Sequence, residues 1–218
     1  MDAIQVAVLP QRAPAGQRNV VVIALTALIA AGFFVAVALP YLMLDAKVLG
    51  RYGSRGVWVL VHISAGAVAL LTGPVQLWLG LSQRTGRVHR RLGTVYVTSV
   101  AISAVAAFYL AARTTLGWGF ATGITGLGLA WVVSTTLAVT AILRGSVDQH
   151  REWMIRSYVV TFAFVTFRAL WTALQVAGVG TLHEQLAIAS WFCWAVPLLL
   201  VEAVLQGRKI FGAEHRIV

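Results

Sequence analysis

Val20-Val-Val-Ile-Ala-Leu-Thr-Ala-Leu-Ile-Ala-Ala-Gly-Phe-Phe-Val-Ala-Val-Ala-Leu-Pro-Tyr-Leu42 contains no charged side chain. A helix crosses a hydrocarbon layer about 30 Å thick with roughly 20 mostly apolar residues, so this run is long enough to span a bilayer once. No small-residue cleavage pattern follows it at the distance a secretory signal needs, and it is expected to persist as a first span. Five further runs of comparable length follow, over 57–81, 92–112, 117–143, 153–177 and 185–206. They are continuous rather than alternating, which indicates helices and not barrel strands. The expectation is an all-α, polytopic transmembrane bundle of about six spans over 20–206. A flexible cytoplasmic tail at 1–19, with Pro10, Pro14 and Gly16, precedes it, and a second cytoplasmic tail at 207–218 follows.

Composition agrees with that reading. Of 218 residues, 59% are hydrophobic and only 11% charged, and mean hydropathy is +0.83. A soluble core of this size would leave far too much apolar surface in water. The net charge of +10 excludes nothing by itself. The basic residues, however, lie in short clusters between apolar runs, as topology signals do, and form no nucleic-acid-binding domain. Cys193 is the only cysteine, so the chain forms no internal disulfide and no multi-cysteine metal or iron–sulfur centre.

Positive charge is retained on the cytoplasmic side of a membrane protein. One set of connecting segments holds Arg12, Arg18, Arg84, Arg87, Arg90, Arg91, Arg144, Arg151, Arg208, Lys209 and Arg216. The other holds Lys47, Arg51, Arg55 and Arg113. The imbalance places both termini in the cytoplasm of a bacterial cell membrane. The fourth span carries Gly117, Gly119, Gly123, Gly126 and Gly128, and small residues let helix backbones approach closely in lipid. Its first half is expected to pack tightly on a neighbour.

Ionisable groups inside a bilayer are costly and mark function or pairing. Arg156 and Glu202 stand at matching depth on consecutive antiparallel spans and are expected to form a structural ion pair. His62 lies about 8 Å inside span two, at 1.5 Å per residue, and Arg168 about 10–14 Å inside span five from the same side. Together they would form a pocket for an anionic or carbonyl-bearing amphipathic ligand such as a quinone, a lipid headgroup or a haem propionate. The alternative is that Arg168 snorkels to the surface while His62 bonds a neighbouring helix.

His89 and His150 open spans three and five on one side, each followed by arginine. One reading has them meeting lipid phosphates. The other has them facing each other as the two axial ligands of haem b, with His62 and His183 as a second pair across the membrane. The chain contains no Walker loop, no G-x-G-x-x-G, no H-E-x-x-H and no G-x-S-x-G, so the motif-borne chemistries of nucleotides, zinc peptidases and serine hydrolases have no sequence support.

Three stretches also carry a family resemblance. They are His62-Ile-Ser-Ala-Gly66 leading to Gly73-Pro74-Val75-Gln76, then Arg87-Val-His89-Arg90-Arg91-Leu-Gly93-Thr-Val-Tyr96, then His150-Arg151-Glu-Trp153-Met154-Ile-Arg156-Ser157-Tyr158. Together they resemble the bacterial membrane proteins grouped as domain of unknown function 2306. That resemblance implies a multi-span prokaryotic membrane protein and draws attention to His62, His89, His150, Arg156 and Tyr158. A more distant similarity links the chain to cytochrome b561-like bundles, although its histidines stand nearer the helix ends than the ligand pairs of those proteins. Three function classes follow: a membrane redox protein binding haem or quinone, a small-solute transporter, and a non-catalytic scaffold or accessory subunit.

Overall fold

The computed structural model describes residues 17–44 and 50–213, and all regular structure within them is helical. The expected N-terminal tail lies outside the described residues as far as residue 16, as do Lys47 and residues 214–218. The elements are α1 (Gln17–Phe33), a π-helical turn (Phe34–Ala38), α2 (Leu39–Leu42), a 3-10 segment (Gly50–Arg55), α3 (Gly56–Leu81), α4 (Arg87–Ala112), α5 (Trp118–Leu143), α6 (Val147–Thr161), α7 (Ala163–Val176) and α8 (Leu182–Ala213). Among the described residues, six helical stretches are long and apolar enough to cross a membrane: Val20–Leu42, Gly50–Leu81, Arg87–Ala112, Trp118–Leu143, Val147–Val176 and Leu182–Phe211. The chain is a multi-pass helical membrane protein.

Several helices begin before or run beyond their apolar stretch, because polar termini find partners at the surface. α8 continues to Ala213, past the expected end at residue 206. There Lys209 Nζ lies 2.8 Å from Glu152 Oε2, and Gln206 donates to Glu202 Oε1 at 2.6 Å. At its other end Glu184 accepts from the Thr181 main-chain N–H at 2.7 Å and from the Thr181 hydroxyl at 2.8 Å. This T-x-x-E arrangement supplies partners that the first turn of a helix otherwise lacks. Between α5 and α6 the chain turns at Gly145, whose φ of 75° suits the glycine that closes a helix C-terminus.

Helices α3, α4, α5 and α6 form a four-membered ring in that order, with α6 also against α3. α4 and α6 are therefore diagonal partners. α8 lies against α5, α6 and α7, and its seam with α5 is built from small residues. A Cβ on Gly119, Gly123 or Gly126 would crowd Ala187, Ser190 or Trp194 respectively, so the glycine face of the fourth span is an intramolecular contact. α1 rests mainly on α3, and Val20–Leu42 is the least buried of the six spans.

Prolines and helix breaks do not coincide. Pro74 and Pro197 lie within continuous helices. Ahead of Pro40 the first span widens into its π-helical turn, where the Leu39 N–H reaches Phe34 O, a local adjustment that rehouses backbone groups around a proline. Span five instead breaks at Phe162, which has no proline near it. The Thr161 hydroxyl donates to Ser157 O at 2.9 Å, and such back-bonding bends helices.

Candidate functional site

Deep inside the ring, side-chain hydroxyls replace hydrocarbon. The Tyr96 hydroxyl of α4 is 2.8 Å from Ser157 Oγ and 2.7 Å from Thr161 Oγ1, both on α6. Trp131 Nε1 of α5 donates to Thr161 Oγ1 at 2.8 Å, and Thr135 Oγ1 is 2.7 Å from Ser157 Oγ. Tyr96, Thr161 and Ser157 are fully buried or nearly so. Each polar group in this cluster has a partner, so it ties three helices together without an orphaned donor. Tyr158, the next residue of α6, points the other way and donates to Leu70 O at 3.1 Å. It does so by occupying the space that a side chain on Gly73 would fill. The resemblance-bearing residues Tyr96, Gly73, Ser157 and Tyr158 are thus core-building residues.

Tyr96 and Ser157 each stand seven positions beyond a histidine, His89 and His150. Seven residues make close to two turns, about 10.5 Å of rise, and return a side chain to nearly the same face. His89 and His150 thus stand near the faces of their helices that carry Tyr96 and Ser157, two turns closer to the arginine-rich end. His150 Nδ1 is 2.9 Å from Ala138 O. A carbonyl only accepts, so Nδ1 carries the hydrogen and Nε2 of the neutral ring presents its lone pair. His89 is held differently. Gln76 Nε2 donates to its carbonyl at 2.8 Å, its ring rests near Gly80, and its buried Nδ1 has no hydrogen-bond partner. Arg87, Arg90 and Arg91 surround this end as exposed side chains.

The other histidines are not brought together. His62 Nδ1 is 3.0 Å from Ser103 O and 3.0 Å from Ser103 Oγ, while Ser103 Oγ donates to His62 O at 3.0 Å. This locks α3 to α4. The His62 ring also meets Phe164 edge-on at 5.2 Å. His183 is exposed at the start of α8, beside Gly117. No hydrogen bond or ring contact links it to His62. The expected neighbourhood of His62 and Arg168 is present only indirectly: Phe164, which His62 touches, lies one turn from Arg168 on the same face of α7.

Arg156 and Glu202 meet. Arg156 Nε donates to Glu202 Oε2 at 2.7 Å, and Nη2 lies 2.6 Å from the same oxygen. Arg156 Nη1 approaches Glu152 Oε2 at 3.5 Å, and the guanidinium carbon sits 4.6 Å from the centre of the Trp153 ring. With Lys209 on Glu152, two cations and two carboxylates balance across α6 and α8, which is how a bundle accommodates a buried arginine.

Among the described residues no group of three or more His, Cys, Asp or Glu side chains converges. A metal held at His89 and His150 would need to bring most of its own ligands. A family model described as "Predicted membrane protein (DUF2306)" matches residues 59–205. No curated protein and no solved structure matches the chain.

Proposed function

The chain belongs to the DUF2306 family of predicted membrane proteins, and from that footing we propose that it is a membrane redox protein holding haem b between His89 and His150. The observation that carries this reading is the pair of imidazoles on diagonal helices, in register with the Tyr96–Ser157 contact two turns deeper. His89 and His150 would be the two imidazoles that hold a haem b, which brings its remaining ligands with it. His150 is fixed with Nδ1 on Ala138 O, as metal-binding histidines generally are. The neighbouring Arg87, Arg90 and Arg91 suit the propionates. Haem held there would supply one-electron transfer chemistry. The excess of arginine at this end supports a cytoplasmic position in a bacterial cell membrane.

The test is an absorption spectrum of the detergent-purified protein, oxidised and then dithionite-reduced, after expression with a haem precursor supplied. The expected result is a Soret band with sharp reduced α and β bands, lost in both His89→Ala and His150→Ala. A featureless wild-type spectrum, or bands that survive both substitutions, would overturn the proposal.

A further inference from the structure

At the end of the bundle opposite the arginine cluster, the close of α4, the first half of α5 and Trp191 of α8 surround a cavity of about 850 Å³, a volume typical of small-molecule sites. No charged side chain lines it. Along α5 the lining runs from Thr115 and Trp118 near the surface to Gly126 and Leu129 within the span, and Phe108, Trp118 and Trp191 give it three aromatic side chains. Gly126 keeps the space open, because a Cβ there would stand 3.6 Å from the Trp191 ring and 3.0 Å from that of Trp194. Leu129 and Trp191 are exposed and belong to membrane spans, so the cavity opens sideways to lipid.

Its hydrogen-bonding capacity is graded with depth. The Thr122 and Thr125 hydroxyls are spent on carbonyls of their own helix, at 2.9 Å to Trp118 O and 2.7 Å to Ala121 O. Nearer the surface, Thr114 Oγ1 accepts from the Leu116 N–H at 3.3 Å and keeps its own hydrogen to donate. Thr115 has no hydrogen-bond partner among the described residues.

Such a lining calls for an uncharged amphiphile whose polar end accepts hydrogen bonds and whose flat body packs against aromatic rings. A phospholipid phosphate calls for arginine, and none lines the cavity. We propose that this cavity binds a quinone, with its ring among Phe108, Trp118 and Trp191, a carbonyl oxygen accepting from Thr114 or Thr115, and its chain leaving past Leu129 into the bilayer. The site shares no residue with His89 and His150, so it stands or falls separately from the haem reading.

The full chain in detergent is titrated with a decyl-substituted benzoquinone, with decylbenzene, and with short-chain phosphatidylethanolamine, and the unfolding midpoint is followed by far-ultraviolet circular dichroism. The quinone is expected to raise the midpoint by about 3 °C or more through preferential binding to the folded state, with no shift from the other two. Thr122→Phe, which fills the cavity from an exposed position, should abolish that shift. Thr114→Val combined with Thr115→Val should at least halve it, and His89→Ala should leave it intact. No shift from the quinone, or an undiminished shift in the threonine variants, overturns the site; an equal shift from decylbenzene or from phosphatidylethanolamine overturns its assignment to a quinone. Should Thr122→Phe fail to fold, the Thr114→Val and Thr115→Val pair decides by the same criterion.

Discussion

Arg156 Nη2 and Glu202 Oε2 stand 2.6 Å apart, joining α6 to α8. Arg156 is 6% exposed, so removing Glu202 leaves a nearly buried guanidinium with Glu152 at 3.5 Å as its remaining carboxylate. In a double-mutant cycle of Arg156→Met and Glu202→Gln, the double variant should be more stable than the sum of the single losses predicts. The expected coupling is about 0.5–2 kcal/mol. Unfolding in mixed micelles measures it, and additive losses would show that the contact contributes nothing of its own.

Tyr96→Phe removes one hydroxyl that serves both Ser157 and Thr161 while keeping the ring that fills the core. The loss should be about 0.6–1.7 kcal/mol, the range of interhelical hydrogen bonds in a membrane bundle. Thr135 and Trp131 still bond to Ser157 and Thr161, so the helices should stay assembled. Unfolding equilibria of the two proteins provide the comparison, and a variant as stable as the parent would mean that the remaining hydroxyls re-pair at no cost.

Gly73→Ala places a methyl where the Tyr158 ring lies. Overpacking of this kind costs about 1–3 kcal/mol. The same alanine should be tolerated much better in a Tyr158→Ala background, where the obstructing ring is gone. If Gly73→Ala is equally harmful in both backgrounds, its effect comes from somewhere other than Tyr158.

The four histidines at the helix ends and interior should separate by function. His62→Ala removes the bond to Ser103 and should cost about 1 kcal/mol of stability, leaving any haem absorbance in place. His183→Ala, at an exposed position, should change neither. A His62 variant that lost the Soret band while remaining folded would relocate the haem ligand.

Much of this was legible in the residues because the bilayer imposes a length rule, and long uncharged runs such as 20–42 satisfy it without ambiguity. Depth was legible for the same reason: counting 1.5 Å per residue from a span's end put Arg156 and Glu202 level. Azimuth was not. Nothing in the one-dimensional pattern shows that Tyr96 faces Ser157 and not lipid, so the buried hydroxyl cluster went unseen, although Tyr96, Ser157 and Tyr158 all sit in the stretches that carry the family resemblance. The break at Phe162 was hidden because no proline or glycine marks it. A threonine four residues after a serine, Ser157 and Thr161, was the available signal, and it is a weak one.

The seam between α5 and α8 also fixes an order of events. Gly119, Gly123 and Gly126 form a shallow notch against Ala187, Ser190 and Trp194, and those residues belong to α8, which emerges from the ribosome after α5. Until it arrives, the nascent protein carries an unfilled groove along its fourth span. α8 is therefore the latch, and a chain truncated before residue 182 would leave the insertion machinery with that groove open, where quality-control proteases can distinguish it from the latched protein.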